Sequence, residues 1–368
     1  MARVAYFYRH MTEFIRIEIE LLRERHVVIV QECASRWPRP LALLNLIAGV
    51  DLATAWFASW HSFAPAVACR ALGKPFVVTI GGYDTACLPD IGYGHQRGGF
   101  QRLVSLATMR LASRLIVISE ATRREALALG LPSSRLTLGY LGLEARRYPG
   151  SDLPREEIAV TVGGVSRSNL TRKGLDAFVR AAALCPRVRF VVIGAWMDDG
   201  IERLRAIAAP NVHFTGVVSH EEKVAWLSRA RVVVQASRHE AFGLALAEGM
   251  LCGAVPVATR AGALPEVTGD CGVLIESQDP TAVARGVRRA LSLGAGAGAR
   301  ARASVLDRFG IERRRRMLEG VIAAELSLHS HAASAGPGER ASGPSMLEPA
   351  SVPVPLNERS VATGQEIP

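Results

Sequence analysis

Along the 368-residue chain, short apolar runs rich in β-branched and aromatic residues alternate with helix-length amphipathic segments. The runs are "RVAYFY", "HVVIV", "TAWFAS", "FVVTI", "RLIVIS", "LTLGYL", "AVTVGGV", "VRFVVIG", "VHFTGV", "RVVVQAS", "VPVATR" and "CGVLI". Strand and helix in strict alternation predict α/β architecture, with parallel sheets wound by helices. Twelve strands are many for one doubly wound sheet. The stretch "YPGSDLPREE", residues 148–157, has Pro, Gly and charges but no periodicity, and marks a break. Two Rossmann-like domains are therefore expected, over 1–152 and 153–325. From 330 to 368 the chain is rich in Pro, Ser, Ala and Gly, with little to bury, and a disordered tail is expected there.

Length supports the division, because single cores stop growing at roughly 250–300 residues. The longest apolar run, Leu41 to Trp60, is interrupted by Asn45, Gly49 and Asp51, and reads as a helix followed by a strand rather than a membrane span. The opening "MARVAYFYRHMTEF" has only a short apolar stretch before its charges, unlike a secretory leader. A cytoplasmic protein is expected. The six cysteines form no CxxC pair and no metal-ligand spacing, so they read as reduced, mostly buried small hydrophobes.

The formal charge is +10, and the segment after Ser330 holds four Glu against two Arg, which leaves about +12 on the rest. That surplus favours anionic partners without choosing among nucleic acid, anionic lipid and phosphorylated small molecules. Nucleic acid is disfavoured, since the few aromatics are not interleaved with basic residues as a stacking platform requires.

In doubly wound sheets, ligands sit at the strand-to-helix loops beyond the carboxyl ends of the strands. Two such loops in the second domain carry candidate chemistry. In "VGGVSRSNLTRKGLDAFVRAA" a helix is expected to begin near Lys173, with Arg172 beside it and Arg167 close by. Cations at a helix N-terminus oppose the macrodipole, and a bound phosphate would reverse that cost; solvated side chains are the alternative. The second loop, "SRHEAFGLALAEGM", places Glu240 before an apolar helix and Glu248 within it. An ionised carboxylate in an apolar setting costs several kcal/mol unless it is hydrogen-bonded, so Glu248 needs a partner. A nucleotide sugar lying along this helix would set sugar hydroxyls at Glu240, the diphosphate at the free N–H groups and ribose hydroxyls at Glu248. Alternatively, Glu240 is a cap and Glu248 pairs with a buried Arg.

The run "SRHEAFGLALAEGMLCGAVPVATRAGALPEV" resembles the signature of the family-4 glycosyltransferases, retaining enzymes of GT-B architecture in which two Rossmann-like domains face each other across a cleft. The pattern is E-x7-E, met by Glu240 and Glu248, with Phe242-Gly243 between them and Gly262 and Pro265-Glu266 downstream. "VGGVSRSNLTRKGLDAF" resembles the family's KG loop, whose Arg and Lys clamp the donor diphosphate and correspond here to Arg167 and Lys173. The resemblance spans about 1–325 and is looser in the first domain. It implies catalytic roles for Glu240, His61, Arg167 and Lys173, and donor contacts at Phe242, Gly243, Leu244, Glu248, Gly164 and Gly216. His61, in "FASWHSFAP", corresponds to the family's cleft histidine, although a lone His at a strand end is often structural.

The first domain departs from the family pattern. Where relatives carry a Gly-rich loop after the first strand, this chain reads "YRHMTEF", so acceptor-side roles fall to Arg9 or to Gly81-Gly82 in "VVTIGGYDTA". "YLGLE" keeps Gly142 and has Glu144 where the family has Asp. No cofactor and no metal are expected; "MDDG" at 197–200 reads as an exposed loop. The resemblance implies a GDP- or UDP-linked sugar donor and a saccharide or lipid-linked acceptor in cell-envelope polysaccharide assembly. "GGFQRLVSLATMRLASRL" places Arg102, Arg110 and Arg114 among apolar residues, which suits either peripheral contact with an anionic inner leaflet or an ordinary amphipathic helix with a solvated basic edge. "IERRRRMLEG" has the same bland reading. A nucleotide-sugar epimerase of similar architecture and a non-catalytic nucleotide-sugar-binding protein are the competing functions.

Overall fold

The twelve apolar runs form twelve strands in a computed structural model that describes residues 1–33, 39–150, 154–294 and 296–334. They are β1 (Arg3–Tyr8), β2 (Val27–Glu32), β3 (Leu52–Trp56), β4 (Phe76–Ile80), β5 (Arg114–Val117), β6 (Leu136–Leu138), β7 (Glu156–Val162), β8 (Arg189–Ile193), β9 (Val212–Gly216), β10 (Ala230–Gln235), β11 (Val255–Thr259) and β12 (Val273–Ile275). Every pairing is parallel, in two sheets of six with orders β2-β1-β3-β4-β5-β6 and β12-β11-β10-β7-β8-β9. Strands buried on both faces must be apolar throughout rather than alternating. β3, β4 and β11 accordingly are buried at every position. Leu41–Trp60 resolves as expected into helix Pro40–Ala48 followed by β3.

Each sheet order reverses once, between β1 and β3 in the first sheet and between β7 and β10 in the second. At such a reversal the following connections leave towards opposite faces and open a crevice at the carboxyl ends of the strands. Both sheets lie within one compact unit, residues 1–329. The tail expected to be disordered over 330–368 is corrected at its start, where 330–334 belong to the helix Ile311–Ser334, and the remainder, 335–368, falls outside the described residues. All six cysteines are free thiols, and only Cys87 is exposed.

One local expectation is extended and another corrected. The helix expected near Lys173 starts at Leu175, after Gly174, and runs to Ala183, and a short helix not expected from the sequence, Arg167–Arg172, precedes it. Gly174 is left-handed (φ 66°), and a Cβ on it would come within 2.1 Å of the Ala236 carbonyl oxygen, so the break requires glycine. The Arg run near the C-terminus is not merely a solvated edge. The helix Ile311–Ser334 returns to the first sheet, where Arg314 is buried against Glu18. Tyr6 donates to Glu18 at 3.0 Å, Arg314 donates to the Gly139 carbonyl at 2.7 Å, and Leu143 bridges Gly310. The second domain expected to end at 325 thus finishes with a helix seated on the first half. Burial, followed by the Glu18 charge, pushes the Tyr6 hydroxyl pKa up.

Removing one member of a buried, hydrogen-bonded ion pair leaves the other charge stranded at a cost of about 3–5 kcal/mol. Arg314→Ala is expected to lose stability of that order in denaturant titration. Arg313→Ala, whose partner Asp307 is mostly exposed, is expected to change it by less than about 1 kcal/mol.

Candidate active site between the two sheets

At the second reversal, the loops after β7 and β10 bring Lys173 and Glu240 together, with Nζ 3.6 Å from Oε2. The Lys173 stem passes over Gly163, where a Cβ would lie 2.9 Å from Lys173 Cδ. Glu240 also accepts from Gln235 Nε2 at 2.7 Å and Ser237 Oγ at 3.1 Å. Burial alone would raise the Glu240 pKa, but Lys173, Arg172 and these two hydrogen bonds outweigh it and hold the carboxyl below its ordinary value. Gln235 works in both directions, since its Oε1 accepts the Leu246 N–H at 3.1 Å. One amide therefore ties Glu240 to the first turn of the helix Leu244–Leu251. Gly243 is the left-handed N-cap, and the N–H groups that open this helix lack intrahelical acceptors.

The other second-half candidates are arranged differently. Arg167 is exposed and faces Asp199, while its N–H donates to Asp198 at 3.0 Å; "MDDG" is thus the acidic partner of this loop. The cation accompanying Lys173 near Glu240 is Arg172, bonded to Asn169 Oδ1 at 2.7 Å and lying 4.8 Å over the Tyr93 ring. Phe242 packs in the core against Tyr140 and Phe309, and Leu244 packs against the same core. Gly164 lies beside Met197, and Gly216 beside the Trp196 ring. Glu248 accepts from Tyr148 OH at 2.6 Å and from Lys223 Nζ at 2.9 Å on both oxygens, so its partners are a tyrosine and a lysine rather than a buried arginine. Burial and the Glu248 charge raise the Tyr148 pKa.

At the first reversal, a buried carboxylate organises the loops. Asp84 accepts the N–H groups of Ala58 (3.1 Å), Gly81 (3.3 Å) and Gly82 (2.8 Å), which pins the turns after β3 and β4 to each other. Burial pushes its pKa up to about 6 against those bonds. Phe57 takes the left-handed conformation (φ 67°), a strained state for an aromatic residue, and its ring lies against Gly81. His61, near the start of the helix Trp60–Ala71, is buried, with Nε2 2.8 Å from the Trp56 carbonyl. A carbonyl only accepts, so Nε2 carries the proton and Nδ1 presents a lone pair. Among the described residues that Nδ1 has no partner. Burial, aided by the Arg9, His95 and His10 charges and opposed by the hydrogen bond to the Trp56 carbonyl, lowers the His61 pKa to about 4. Arg9 itself is exposed, 5.4 Å over the Trp60 ring.

The two halves touch beside Glu240. A Cβ on Gly82 would meet Ala241 Cβ at 2.2 Å and approach His239 at 3.7 Å. His239 Nε2 lies 2.7 Å from Glu125 Oε1, and Thr85 Oγ1 donates to the other Glu125 oxygen at 2.5 Å. Arg238 pairs with Asp90 at 2.5 Å, and the Glu266 carboxylate accepts the Glu120 N–H at 3.1 Å. Sequence reasoning missed Gln235, Lys223, Tyr148, Asp84, His239 and Glu125, whereas Arg172 was among its candidate phosphate-binding cations. Only His239, adjoining Glu240, carried a local signal.

Residues 156–292 match the family described as Glycosyl transferases group 1. Among curated proteins, the chain is 32% identical over 156 residues to a phosphatidylinositol N-acetylglucosaminyltransferase subunit of Arabidopsis thaliana, covering 39% of this chain and 34% of that one. It is 26% identical over 201 residues to O-antigen chain mannosyltransferase B of Escherichia coli, covering 49% and 52%. It is 30% identical over 205 residues to D-inositol 3-phosphate glycosyltransferase of Mycobacterium sp. (strain KMS), covering 50% and 46%. The chain thus spans about a third to a half of the length of these relatives. Among solved structures, Anabaena Alr3699/HepE in complex with UDP superimposes with a TM-score of 0.72 at 17% identity, covering 88% of this chain and 100% of that one. Sucrose-phosphate synthase from Thermosynechococcus elongatus gives 0.69 at 18%, covering 91% and 100%. The fold is GT-B: two Rossmann-like parallel sheets facing across a cleft.

Burial, reinforced by the Glu120 charge, raises the Glu266 pKa to about 7. A carboxyl with a raised folded-state pKa stabilises fully below its unfolded value, near 4.5, and loses that contribution as pH rises through about 7. The stability of wild type relative to Glu266→Gln is therefore expected to fall between pH 4.5 and 7, measured by thermal unfolding of both proteins across that range.

Proposed function

We propose that the chain is a metal-independent glycosyltransferase of family 4, moving a sugar from a GDP- or UDP-linked donor to a saccharide or lipid-linked acceptor with retention of configuration. The observation that carries this reading is the placement of Lys173 and ionised Glu240 beside the open N-terminus of helix Leu244–Leu251, at the reversal of the second sheet. The match of residues 156–292 to Glycosyl transferases group 1 and the named activities of the relatives support it.

Cleaving the bond between the anomeric carbon and the diphosphate develops negative charge on the leaving group. Cations and N–H dipoles aimed at the phosphates stabilise it. In this reading Lys173, with Arg172, and the N–H groups following Gly243 supply them, and Glu240 orients the transferred sugar through its hydroxyls. Glu248 keeps lone pairs beyond those used by Tyr148 and Lys223, which leaves room for ribose hydroxyls. The acceptor approaches from the first half, past Arg9, His61 and Gly81-Gly82. No side chain is assigned as a nucleophile, and a front-face displacement with the acceptor proton passing to a donor phosphate oxygen fits retention. Excluding water across the closed cleft would protect the donor from hydrolysis.

A cytoplasmic role in cell-envelope polysaccharide assembly, at an anionic inner leaflet, belongs to the same proposal. No helix among the described residues is long and apolar enough to cross a membrane. Phe100 and Leu103 are exposed on helix Gly99–Leu111 with Arg102 between them. Arg114, by contrast, is held by Glu325 at 2.9 Å and is withdrawn from that face.

Calorimetric titration with UDP and with GDP tests the reading. One nucleotide is expected to bind at micromolar Kd, and Lys173→Ala to weaken it about tenfold or more, near 1.4 kcal/mol. Glu240→Gln is expected to leave nucleotide binding within a few fold while lowering sugar transfer by about 10²–10³. Wild type that binds neither nucleotide would overturn the proposal.

A further inference from the structure

We propose that a basic cavity at the amino ends of the second sheet, lined by Arg155, Arg231 and Arg302, binds the dianionic phosphate of a small phosphate monoester. The cavity lies at the strand edge opposite the cleft that holds Lys173 and Glu240, and it does not depend on the transferase reading.

Arg155 immediately precedes β7, Arg231 is the second residue of β10, and Arg302 lies within the helix Gly296–Phe309. All three half-buried guanidiniums line one cavity of about 890 Å³, a size within the range of small-molecule sites. Among the described residues, no acidic side chain lines it. Each guanidinium is held in place by backbone carbonyls: Arg155 donates to Ala230 at 2.8 Å and to Cys252, Arg302 to Tyr148 at 2.8 Å and to Leu251, and Arg231 to Leu291 at 2.6 Å. The wall behind them is tight. A Cβ on Gly253 would lie 2.5 Å from Arg155 Nη2, and one on Gly298 would lie 2.1 Å from the Gly253 carbonyl oxygen.

The charge balance selects the ligand. The carbonyl bonds orient the guanidiniums without neutralising them. Leu251 and Cys252 close the helix Leu244–Leu251, and Leu291 lies at the end of the helix Pro280–Ser292. A helix carboxyl end carries only about half a negative charge, so the two ends leave roughly two positive charges in the cavity. Capping alone therefore does not account for three arginines. Among the described residues, the carboxylate that reaches any of them is that of Glu157, 3.9 Å from Arg231, and it is 56% exposed, where water screens it. The opening of the helix Gly296–Phe309 reaches the same cavity through Gly298 and Ala299, and its dipole adds to the positive potential. A phosphate monoester carries about −1.5 to −2 charge at neutral pH, which matches the surplus, whereas a carboxylate or a phosphodiester supplies a single charge. Guanidiniums take phosphate oxygens in two-pronged contacts. The volume leaves room for the organic group that the phosphate carries.

Calorimetry on the full chain with glycerol 3-phosphate, glycerol and inorganic phosphate tests this. Wild type is expected to bind glycerol 3-phosphate with a Kd below about 1 mM, about tenfold or more tighter than glycerol and about threefold or more tighter than inorganic phosphate. Ala299→Glu sets a carboxylate in the cavity and is expected to weaken binding about tenfold or more, while Ala299→Gln, of the same length, stays within about threefold. Ala299 is exposed near the start of its helix, where an acidic side chain is favoured, so the fold is spared; thermal unfolding verifies it. Arg231→Gln, which gives up one carbonyl contact, is a second variant expected to weaken binding by a similar factor. Lys173→Ala is expected to leave binding within about twofold, which separates this cavity from the cleft. Vesicles of phosphatidic acid against vesicles of phosphatidylglycerol at equal charge separate the two sources of the ester. Capture by phosphatidic acid that Ala299→Glu abolishes assigns a lipid headgroup, and binding of the soluble ester alone assigns a free metabolite. No binding by wild type, binding that survives Ala299→Glu, loss in Lys173→Ala instead, or inorganic phosphate binding as tightly as the ester would each overturn the proposal. Nucleotide binding in the cleft is a separate measurement, and its failure would leave this site standing.

Discussion

Glu240 remains charged in a buried position because Lys173 and Arg172 reach it, and this pairing fixes much of the second half of the molecule. The cations and the carboxylate lie more than sixty residues apart in the chain. They meet because β7 and β10 are neighbours in the sheet and both loops leave from the same end. Parallel pairing thus serves the chemistry as well as the core. Gln235, the last residue of β10, extends the arrangement by binding Glu240 with one end of its amide and the helix start with the other.

The first half repeats the geometry with different contents. Its crevice is organised by Asp84, whose three N–H bonds hold loops from two strands in one orientation. Around it the polar groups are imidazoles, a free guanidinium and glycines that allow the two halves to approach closely. The second half is strongly charged at its crevice, whereas the first offers mainly neutral acceptors. In the proposed transferase, that asymmetry would suit joining a diphosphate-bearing donor to a hydroxyl-bearing acceptor.

Each of the twelve runs forms a strand: the central ones were legible because a strand covered on both faces must be apolar along its whole length, and the half-buried β2, β6 and β9 through their β-branched and apolar content. Lys173 and Glu240 were legible for a related reason: both occupy loop tips that parallel topology places at one edge. What escaped depends on contacts distant in sequence. Whether Arg167 or Arg172 turns towards Glu240 is decided by the break at Gly174 and by Asp199, which attracts Arg167. The partners of Glu248 come from Tyr148, 100 residues earlier, and Lys223, 25 residues earlier. Arg314 sits in a run of four arginines that looks uniformly solvated, and only the return of the last helix buries one of them. His239 was obscured by its neighbour, since the carboxylate motif drew the chemistry to Glu240.

The pairing of Glu18 with Arg314 also bears on how the chain matures during translation. The two residues are separated by 296 positions, so at about 5–20 residues per second Glu18 waits roughly 15–60 s for its counter-charge to be synthesised. Throughout that interval the first sheet lacks the helix that seals it. The second sheet has its covering helices, Pro280–Ser292 and Gly296–Phe309, in hand before the helix Ile311–Ser334 has left the ribosome. The half made first is therefore the half completed last, and the nascent chain carries an unfinished hydrophobic surface for nearly its whole synthesis.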